Sequence, residues 1–447
     1  MLNRHIMGCG LLWVSLGGCA TTKVIAAEPA SPVTIVATAN DFLQAGVQKY
    51  YRSEYGQALA DLEIAAKMAP DNPSVLSARA MAKSALKDYQ GAYADFQQAL
   101  KLSPDLPRIY YSRGLALRQV GDFYGSLQDF DRAIALKPDF IDAYNSRGVS
   151  YAMLNEYPDA LRDYTLAIEL NPRFGNAFLN RGYALRRMGN YAEALLDLNI
   201  AVGLLKTSPV AFAIRGNLFR NMKEYDRARA DFLSAQRLQP EMGDAYIGLG
   251  RIALHEGKLE QACAEISRGI ERDPQYPPYY LIRGMIHEGM NDDLKAAMDY
   301  QKAAEMEQNP RSPENELYAR LYWNLLSRRT AKAGPDVHLT ELRDFGDLWP
   351  DPIVAFITGK RSEGAILADA KRRRWPQEKR EGECEALYFI GMSHLLAGRT
   401  EVAASYFERC LATGLETLCE YSFAKFRLES LRASRTKAPP DQSRVKT

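Results

Sequence analysis

The sequence has little of what an enzyme or a metal site needs. Its 447 residues include five histidines and six cysteines, but no His-Glu-x-x-His motif, paired Cys-x-x-Cys ligands, nucleophile elbow or phosphate-binding glycine loop. The histidines beyond the N-terminal region stand singly in separate segments: His255, His287, His338 and His394. We therefore expect a protein with no catalytic residues, no metal and no cofactor.

An excess of charge of one sign is also missing. The chain has 57 Lys and Arg against 55 Asp and Glu, a formal net charge of +2 at pH 7. A nearly neutral protein has no overall field that would attract nucleic acid, so we expect none as a partner. The 47% hydrophobic content is ample for a continuous core.

The longest apolar run near the N-terminus, Ile6–Leu16, is too short to span a bilayer as a permanent helix. It follows Arg4 and ends in Leu16-Gly17-Gly18-Cys19, which resembles a bacterial lipobox. In that interpretation Cys19 becomes an acylated N-terminus, and its several acyl chains give stable anchoring. The alternative is an ordinary secretory peptide that is cleaved after Val24-Ile25-Ala26.

The lipoprotein interpretation divides the N-terminal region into a signal peptide, residues 1–18, and a lipidated tether, residues 19–38. The tether is rich in Ala, Thr and Pro. Ala20 stands where Asp would by analogy signal retention in the inner membrane. We therefore expect an outer-membrane lipoprotein that faces the periplasm.

A repeat of 34 residues dominates the rest of the chain. Pro107–Phe140 and Ile141–Phe174 align over their whole length, with Arg113-Gly114 matching Arg147-Gly148. Prolines mark the period at Pro70, Pro104, Pro138, Pro172, Pro240 and Pro274. This period is typical of a helix–turn–helix solenoid.

Each repeat contains two runs of apolar residues at helical spacing. In the first of the two aligned repeats they cover roughly Arg108–Val120 and Tyr124–Leu136, with Gly121-Asp122 as the turn. Glycine recurs at the eighth position, where it costs roughly 1 kcal/mol against alanine, which suggests close helix–helix approach. The sequence predicts an all-α fold, an α-solenoid of antiparallel helix pairs.

These repeats resemble the tetratricopeptide repeat (TPR) family. Eight copies can be aligned within residues 39–310, and single departures such as Ser126, Lys206, Gly269 and Gln308 loosen individual repeats. The copies start near Ala39, Pro73, Pro107, Ile141, Gly175, Pro209, Gly243 and Pro277.

The C-terminal third is less regular. We expect a degenerate helical segment at 311–383, a TPR-like unit with a capping helix at 384–432, and a disordered tail at 433–447. Trp349, Ile353–Gly359, Tyr388–Gly391 and Glu420-Tyr421 occur in an order similar to that of NlpI-type outer-membrane TPR lipoproteins.

The resemblance to that family implies a non-enzymatic periplasmic adaptor. Its members dimerise and bring peptidoglycan hydrolases together with a processing protease. This chain differs by its longer repeat array, so the dimer geometry and the partners need not carry over. The alternative is a soluble periplasmic TPR module that serves secretion or envelope assembly.

Four cysteines remain unacylated after maturation: Cys263, Cys384, Cys410 and Cys419. In an oxidising compartment, a disulfide between Cys384 and Cys410 would join the two helices of the last unit. Buried free thiols are the alternative.

In TPR folds, positions 2, 5, 9, 12 and 13 of each first helix line the concave face. By that resemblance the peptide-binding groove includes six arginines, which would favour an acidic peptide because arginine pairs bidentately with carboxylates. Alternatively, arginines near a helix C-terminus merely complement its dipole. The predicted groove residues are Arg108, Tyr111, Arg118, Asn145, Arg186, Arg187, Asn217, Arg220 and Arg251.

Overall fold

A computed structural model describes residues 37–306, 313–330, 351–416 and 418–437. Within these ranges the regular structure consists of 22 α-helices, with no strand. The predicted all-α solenoid of helix pairs is confirmed.

Sixteen of the helices form eight pairs. The first helices of the pairs are α1 Ala39–Tyr51, α3 Pro73–Ala85, α5 Pro107–Gln119, α7 Ile141–Met153, α9 Gly175–Met188, α11 Pro209–Asn221, α13 Gly243–His255 and α15 Pro277–Gly289. The second helices are α2 Tyr55–Met68, α4 Tyr89–Leu102, α6 Phe123–Leu136, α8 Tyr157–Leu170, α10 Tyr191–Leu204, α12 Tyr225–Leu238, α14 Leu259–Arg272 and α16 Asp293–Met306. Each first helix begins at the residue where a repeat was expected to start.

The chain divides into two compact units between Arg181 and Gly182. In the described residues, the N-terminal unit is 37–181 and the C-terminal unit is 182–437, so α9 contains the boundary. In each unit consecutive helices pack on one another.

The turn inside each pair contains one residue in the left-handed backbone region. At Gly121, for example, φ is +89°, and the following Asp122 N–H donates to the Leu117 carbonyl 3.0 Å away. This geometry ends a helix and satisfies its last carbonyls. The equivalent residues are Ser53, Lys87, Gly121, Asn155, Gly189, Lys223, Gly257 and Asn291.

The glycines at the eighth position allow the two helices of one pair to come close. A Cβ added to Gly148 would lie 2.7 Å from the Tyr164 ring, and one added to Gly182 would lie 2.7 Å from Leu198 Cγ. Both aromatic and aliphatic partners belong to the second helix of the same repeat. The close approach expected from the sequence is therefore within a repeat rather than between neighbouring repeats.

An arginine–aspartate pair recurs inside the repeats, and the sequence analysis did not predict it. In Arg147, Nε and Nη2 donate to the two carboxylate oxygens of Asp163 at 2.8 and 2.6 Å. This bidentate bond connects the two helices of a pair at the edge of the core. The same pairing joins Arg79–Asp95, Arg113–Asp129, Arg215–Asp231 and Arg283–Asp299.

The C-terminal unit continues beyond the eighth pair with α17 Pro313–Thr330, α18 Asp351–Ile357, α19 Glu363–Arg372, α20 Pro376–Leu396, α21 Thr400–Ala412 and α22 Cys419–Lys437. Helix α20 begins at Pro376, before the boundary expected at Cys384, because proline is well suited to the first turn of a helix. Helix α22 ends at Lys437, so the first residues of the tail expected to be disordered are helical. Tyr322, Tyr388, Phe389 and Phe407 are buried in the core of this region.

Several predictions concern residues outside the described ranges. These include the signal peptide, Cys19, the tether up to residue 36, and the tail from residue 438. Thr38, at the end of the expected tether, caps α1 through a reciprocal capping box with Asp41. None of the described helices combines the length and the apolar character needed to cross a membrane.

Candidate peptide-binding groove

The nine predicted groove residues fall into two sets, one in each unit. We call Arg108, Tyr111, Arg118 and Asn145 the N-terminal groove set. Arg186, Arg187, Asn217, Arg220 and Arg251 form the C-terminal groove set. All nine lie on first helices of the pairs.

Only part of the N-terminal groove set is open to solvent. Arg108 is exposed, whereas the Tyr111 ring packs in the core, with its centroid 4.9 Å from that of Phe140. The Tyr111 hydroxyl accepts a hydrogen bond from Ser146 Oγ at 3.5 Å. Tyr111 is therefore part of the packing between repeats.

Arg118 lies among hydroxyl groups. Its Nη1 donates to the backbone carbonyl of Ser146 at 3.3 Å. Burial lowers the pKa of Arg118, and the nearby hydroxyls of Tyr111, Tyr164 and Tyr50 act in the opposite direction. Removal from water makes this guanidinium a strong partner for a carboxylate.

Asn145 is engaged by the neighbouring repeat. Its side-chain oxygen accepts a hydrogen bond of 2.9 Å from Asn180 Nδ2. In the N-terminal groove set, Arg108 is thus the exposed cation, whereas Arg118 is partly buried and bonded to the neighbouring repeat. That either of them binds a ligand stays a prediction.

Arg187 of the C-terminal groove set pairs with a carboxylate of the chain itself. Arg187 Nη2 donates to Glu378 Oε1 at 3.1 Å, across 191 residues of sequence. Glu378 lies in the first turn of α20 and is only 6% exposed. The ion pair ties α20 to the end of α9.

Arg186 and Glu381 extend this contact. Burial lowers the pKa of Arg186, whose guanidinium lies over the Tyr183 ring at 5.2 Å, and the charge of Glu381 opposes that effect. Burial raises the pKa of Glu381, but Arg187 and a hydrogen bond from Gln377 outweigh it, and the net pKa is below the ordinary value. Glu381 is therefore ionised and balances the two arginines.

Asn217 and Arg220 are buried and bonded to each other. Arg220 Nη2 donates to Asn217 Oδ1 at 3.3 Å, and Asn217 Nδ2 donates to the Ala213 carbonyl at 3.1 Å. Arg251 lies near buried Asp244, whose pKa burial raises to about 7 against the charge of Arg251.

A second carboxylate contact lies at Glu416, in the turn after α21. Lys223 Nζ is 2.8 Å and His255 Nε2 is 3.5 Å from its oxygens, and the Tyr225 hydroxyl donates to it at 3.4 Å. Burial raises the pKa of Glu416, but Lys223, His255 and the hydrogen bond from Tyr225 together outweigh it, and the net pKa is below the ordinary value. We call Glu378 and Glu381 the glutamate cluster. Neither this cluster nor the contact at Glu416 was predictable, because no local sequence pattern relates residues about 190 positions apart.

The histidines make ordinary structural contacts. His394 Nε2 lies 2.8 Å from Glu363 Oε1, and Arg399 Nε donates to His394 Nδ1 at 2.8 Å. His287 lies 3.9 Å from the Cys263 sulfur, and His338 is outside the described residues. No group of three or more potential metal ligands occurs in the described ranges.

Cys384 and Cys410 lie side by side. Their Sγ atoms are 3.4 Å apart, and both side chains are fully buried between α20 and α21. Both are free thiols in this structure, as is half-buried Cys263. The Cys419 side chain is not among those described.

Comparison with known sequences identifies the repeats. Profiles described as Tetratricopeptide repeat match residues 141–174, 164–195 and 215–277, and one described as TPR repeat matches residues 82–121 and 114–155. All of these segments lie within the eight helix pairs. No functionally curated protein matches the sequence.

Three proteins are among the solved structures to which the chain is similar. For pilF of Pseudomonas aeruginosa the identity is 17%, over 46% of this chain and 94% of that chain, with a TM-score of 0.39. For PilW, a type IV pilus biogenesis factor, the identity is 20%, over 46% of this chain and 96% of that chain, with a TM-score of 0.41. For a tetratricopeptide repeat protein of Parabacteroides merdae, the identity is 18%, over 63% of this chain and 98% of that chain, with a TM-score of 0.43.

Proposed function

Because the chain is a tetratricopeptide-repeat protein, and such proteins are protein-interaction scaffolds, we propose that it is a lipid-anchored adaptor of a bacterial cell envelope. The scaffold part follows from the repeats themselves. The anchor and the compartment are the proposal. They are supported by the position of Leu16-Gly17-Gly18-Cys19 at the end of an apolar run and ahead of the array.

The proposed partners are envelope proteins that offer an acidic peptide. The arginines of the two groove sets support this, since guanidinium groups form charge-assisted bonds with carboxylates. By resemblance to NlpI-type lipoproteins, the partners would be peptidoglycan hydrolases and a processing protease, and the adaptor would act as a homodimer. The function involves no catalysis, because such an adaptor works by bringing partners together.

The lipid anchor is tested by comparing Cys19→Ser with the wild type in a bacterial host. We expect the variant to lose acylation, to leave the outer-membrane fraction and to differ in mature mass, because the acyl chains provide the anchor. Cys9→Ser lies upstream of the cleavage point and is the matched control, with wild-type mass and fractionation. Partners captured from solubilised envelope should be the same for the wild type and the control.

An unchanged mass and fractionation in Cys19→Ser would contradict the anchor. Cleavage after Ala26, with the protein released into the periplasm, would instead favour a soluble TPR module in secretion or envelope assembly. Both outcomes leave the protein-binding function in place.

A further inference from the structure

The first eight residues of α20 extend it beyond the helix pair that it forms with α21. This extension, Pro376–Glu383, reads PQEKREGE and carries no aliphatic or aromatic side chain except proline. The rest of α20 is anchored in the core by Tyr388 and Phe389, which are fully buried. The extension is therefore held mainly by polar contacts, together with the close approach of buried Gly382 to Ala370 of α19.

Those polar contacts are directed at the C-terminal groove set. Glu378 pairs with Arg187 at 3.1 Å, and the charge of Glu381 acts on both Arg186 and Arg187. Arg380 Nη2 donates to the Thr413 carbonyl at 3.1 Å, which connects the extension to the turn that carries Glu416. Glu378 thus binds Arg187 directly, and Glu381 lies close enough for its charge to act on Arg186 and Arg187.

The extension is also locally weak as a helix. Gly382 lies in its second turn, and a glycine inside a helix is less favourable than alanine. The Arg187–Glu378 pair is largely buried, and such a pair adds little net stability because the desolvation of both charges offsets their attraction. The extension can accordingly be released while the core of α20 stays folded.

We infer that the glutamate cluster is an internal ligand of the C-terminal groove set, and that a glutamate-rich peptide of a partner binds there by displacing it. The inference rests on the proposed function of the array as a peptide-binding scaffold. The occupant follows from charge and geometry: the surface already holds two glutamates spaced three residues apart on a helix, Glu378 and Glu381. An external peptide with the same spacing offers the arginines equivalent carboxylates.

The internal ligand sets the apparent affinity of the site. If it fills the groove nine-tenths of the time, an external peptide binds about tenfold more weakly than to the open site. The Arg187–Glu378 pair would then hold the site in a low-affinity form until a partner with enough carboxylates arrives.

The test uses the full chain and a fluorescent hexaglutamate peptide as the probe, with binding followed by anisotropy. The double variant Glu378→Gln with Glu381→Gln, which we call the released variant, should bind the probe about tenfold more tightly than the wild type. The matched control is Glu260→Gln with Glu271→Gln, two exposed glutamates of α14, and it should bind as the wild type does. Adding Arg187→Gln to the released variant should remove the gain.

Circular dichroism checks that each variant is folded, and Glu378→Gln alone provides a milder second variant with a smaller gain. Equal probe affinity in the wild type and the released variant would overturn the internal ligand while leaving the acidic-peptide function intact. A gain that survives Arg187→Gln would place the site elsewhere and overturn it too. Absence of probe binding to every variant would contradict the acidic partner of the proposed function.

Discussion

At the scale of single residues, small side chains and buried charges decide how tightly each repeat closes. Gly182 permits the approach of Leu198, and the equivalent glycines do the same in other repeats. Asp244 on α13, by contrast, is a charged residue type at a buried position, with 6% of its surface exposed. Each feature has a measurable consequence.

Replacing Gly182 by leucine should destabilise the C-terminal unit. A Cβ there would already lie 2.7 Å from Leu198 Cγ and 3.2 Å from the Ala194 carbonyl oxygen, so the larger side chain overpacks the pair at a cost of roughly 1–3 kcal/mol or more. Urea unfolding followed by circular dichroism measures the loss. Gly203→Ala is the control, since nothing lies within 4 Å of a Cβ on that exposed helical glycine, and it should gain about 0.5–1 kcal/mol. Identical unfolding of Gly182→Leu and wild type would mean that the helices do not approach as described.

Asp244 makes stability depend on pH. Burial raises its pKa to about 7, opposed by Arg251 and by a hydrogen bond with Tyr276, whereas in the unfolded chain the pKa is about 3.9. Because the folded-state pKa is the higher one, the stabilisation from the bound proton is complete below about pH 4 and is lost as the pH rises to about 7.

Asp244→Asn removes this titration. The wild type loses stability between pH 5 and about pH 7, and the variant does not. The free energy of unfolding of the variant minus that of the wild type should therefore rise over this range, by about 1.4 kcal/mol for each pH unit. Urea unfolding at pH 5 and pH 8 measures it. The control is Asp226→Asn, which replaces an exposed residue on α12. Its effect on the free energy of unfolding should be the same at pH 5 and at pH 8. A difference between Asp244→Asn and wild type that is the same at pH 5 and pH 8 would contradict the raised pKa.

At the scale of elements, the regular pairs and the C-terminal helices differ in how far the sequence predicted them. The start of each first helix was predictable because a period of 34 residues repeats the same turn and cap signals. The start of α20 at Pro376 was not, since alignment to the repeats reaches only its second part, near Gly391. The two sulfur atoms of Cys384 and Cys410 do lie together, as the pairing of two helices in a TPR-like unit implies.

The Cys384–Cys410 pair should form a disulfide when the protein is exposed to glutathione disulfide. The two thiols lose two hydrogens, a bond forms between their sulfurs, and glutathione leaves in its reduced form. Closure of the loop between them should stabilise the oxidised protein by about 3 kcal/mol against unfolding. Intact mass, lower by about two daltons, and thermal unfolding with and without reductant measure the change. Cys263→Ser should oxidise in the same way as the wild type, whereas Cys384→Ser should not. Full alkylation of Cys384 and Cys410 after exposure to the oxidant, in unfolded protein, would contradict the pair.

At the scale of the whole molecule, the sequence predicted the kind of protein better than the contacts between distant segments. The C-terminal groove set was predicted from repeat positions alone, and its role in binding stays a prediction. The ion pair between Arg187 and Glu378 could not be predicted, because the two residues are 191 positions apart. The net charge of +2 also gives no indication of which charged residues form ion pairs.

The arginine–aspartate pair inside the repeats has a consequence for how such an array can change its length. In five repeats the arginine and the aspartate that receives its bidentate bond are 16 residues apart and belong to the same 34-residue segment. A tandem duplication or deletion of one such segment in the gene therefore adds or removes both charges together. No carboxylate is stranded at the edge of the core by the event. Growth and shrinkage of the array by whole repeats thus leave this pair balanced, whereas a point mutation at either residue leaves the other charge without its partner.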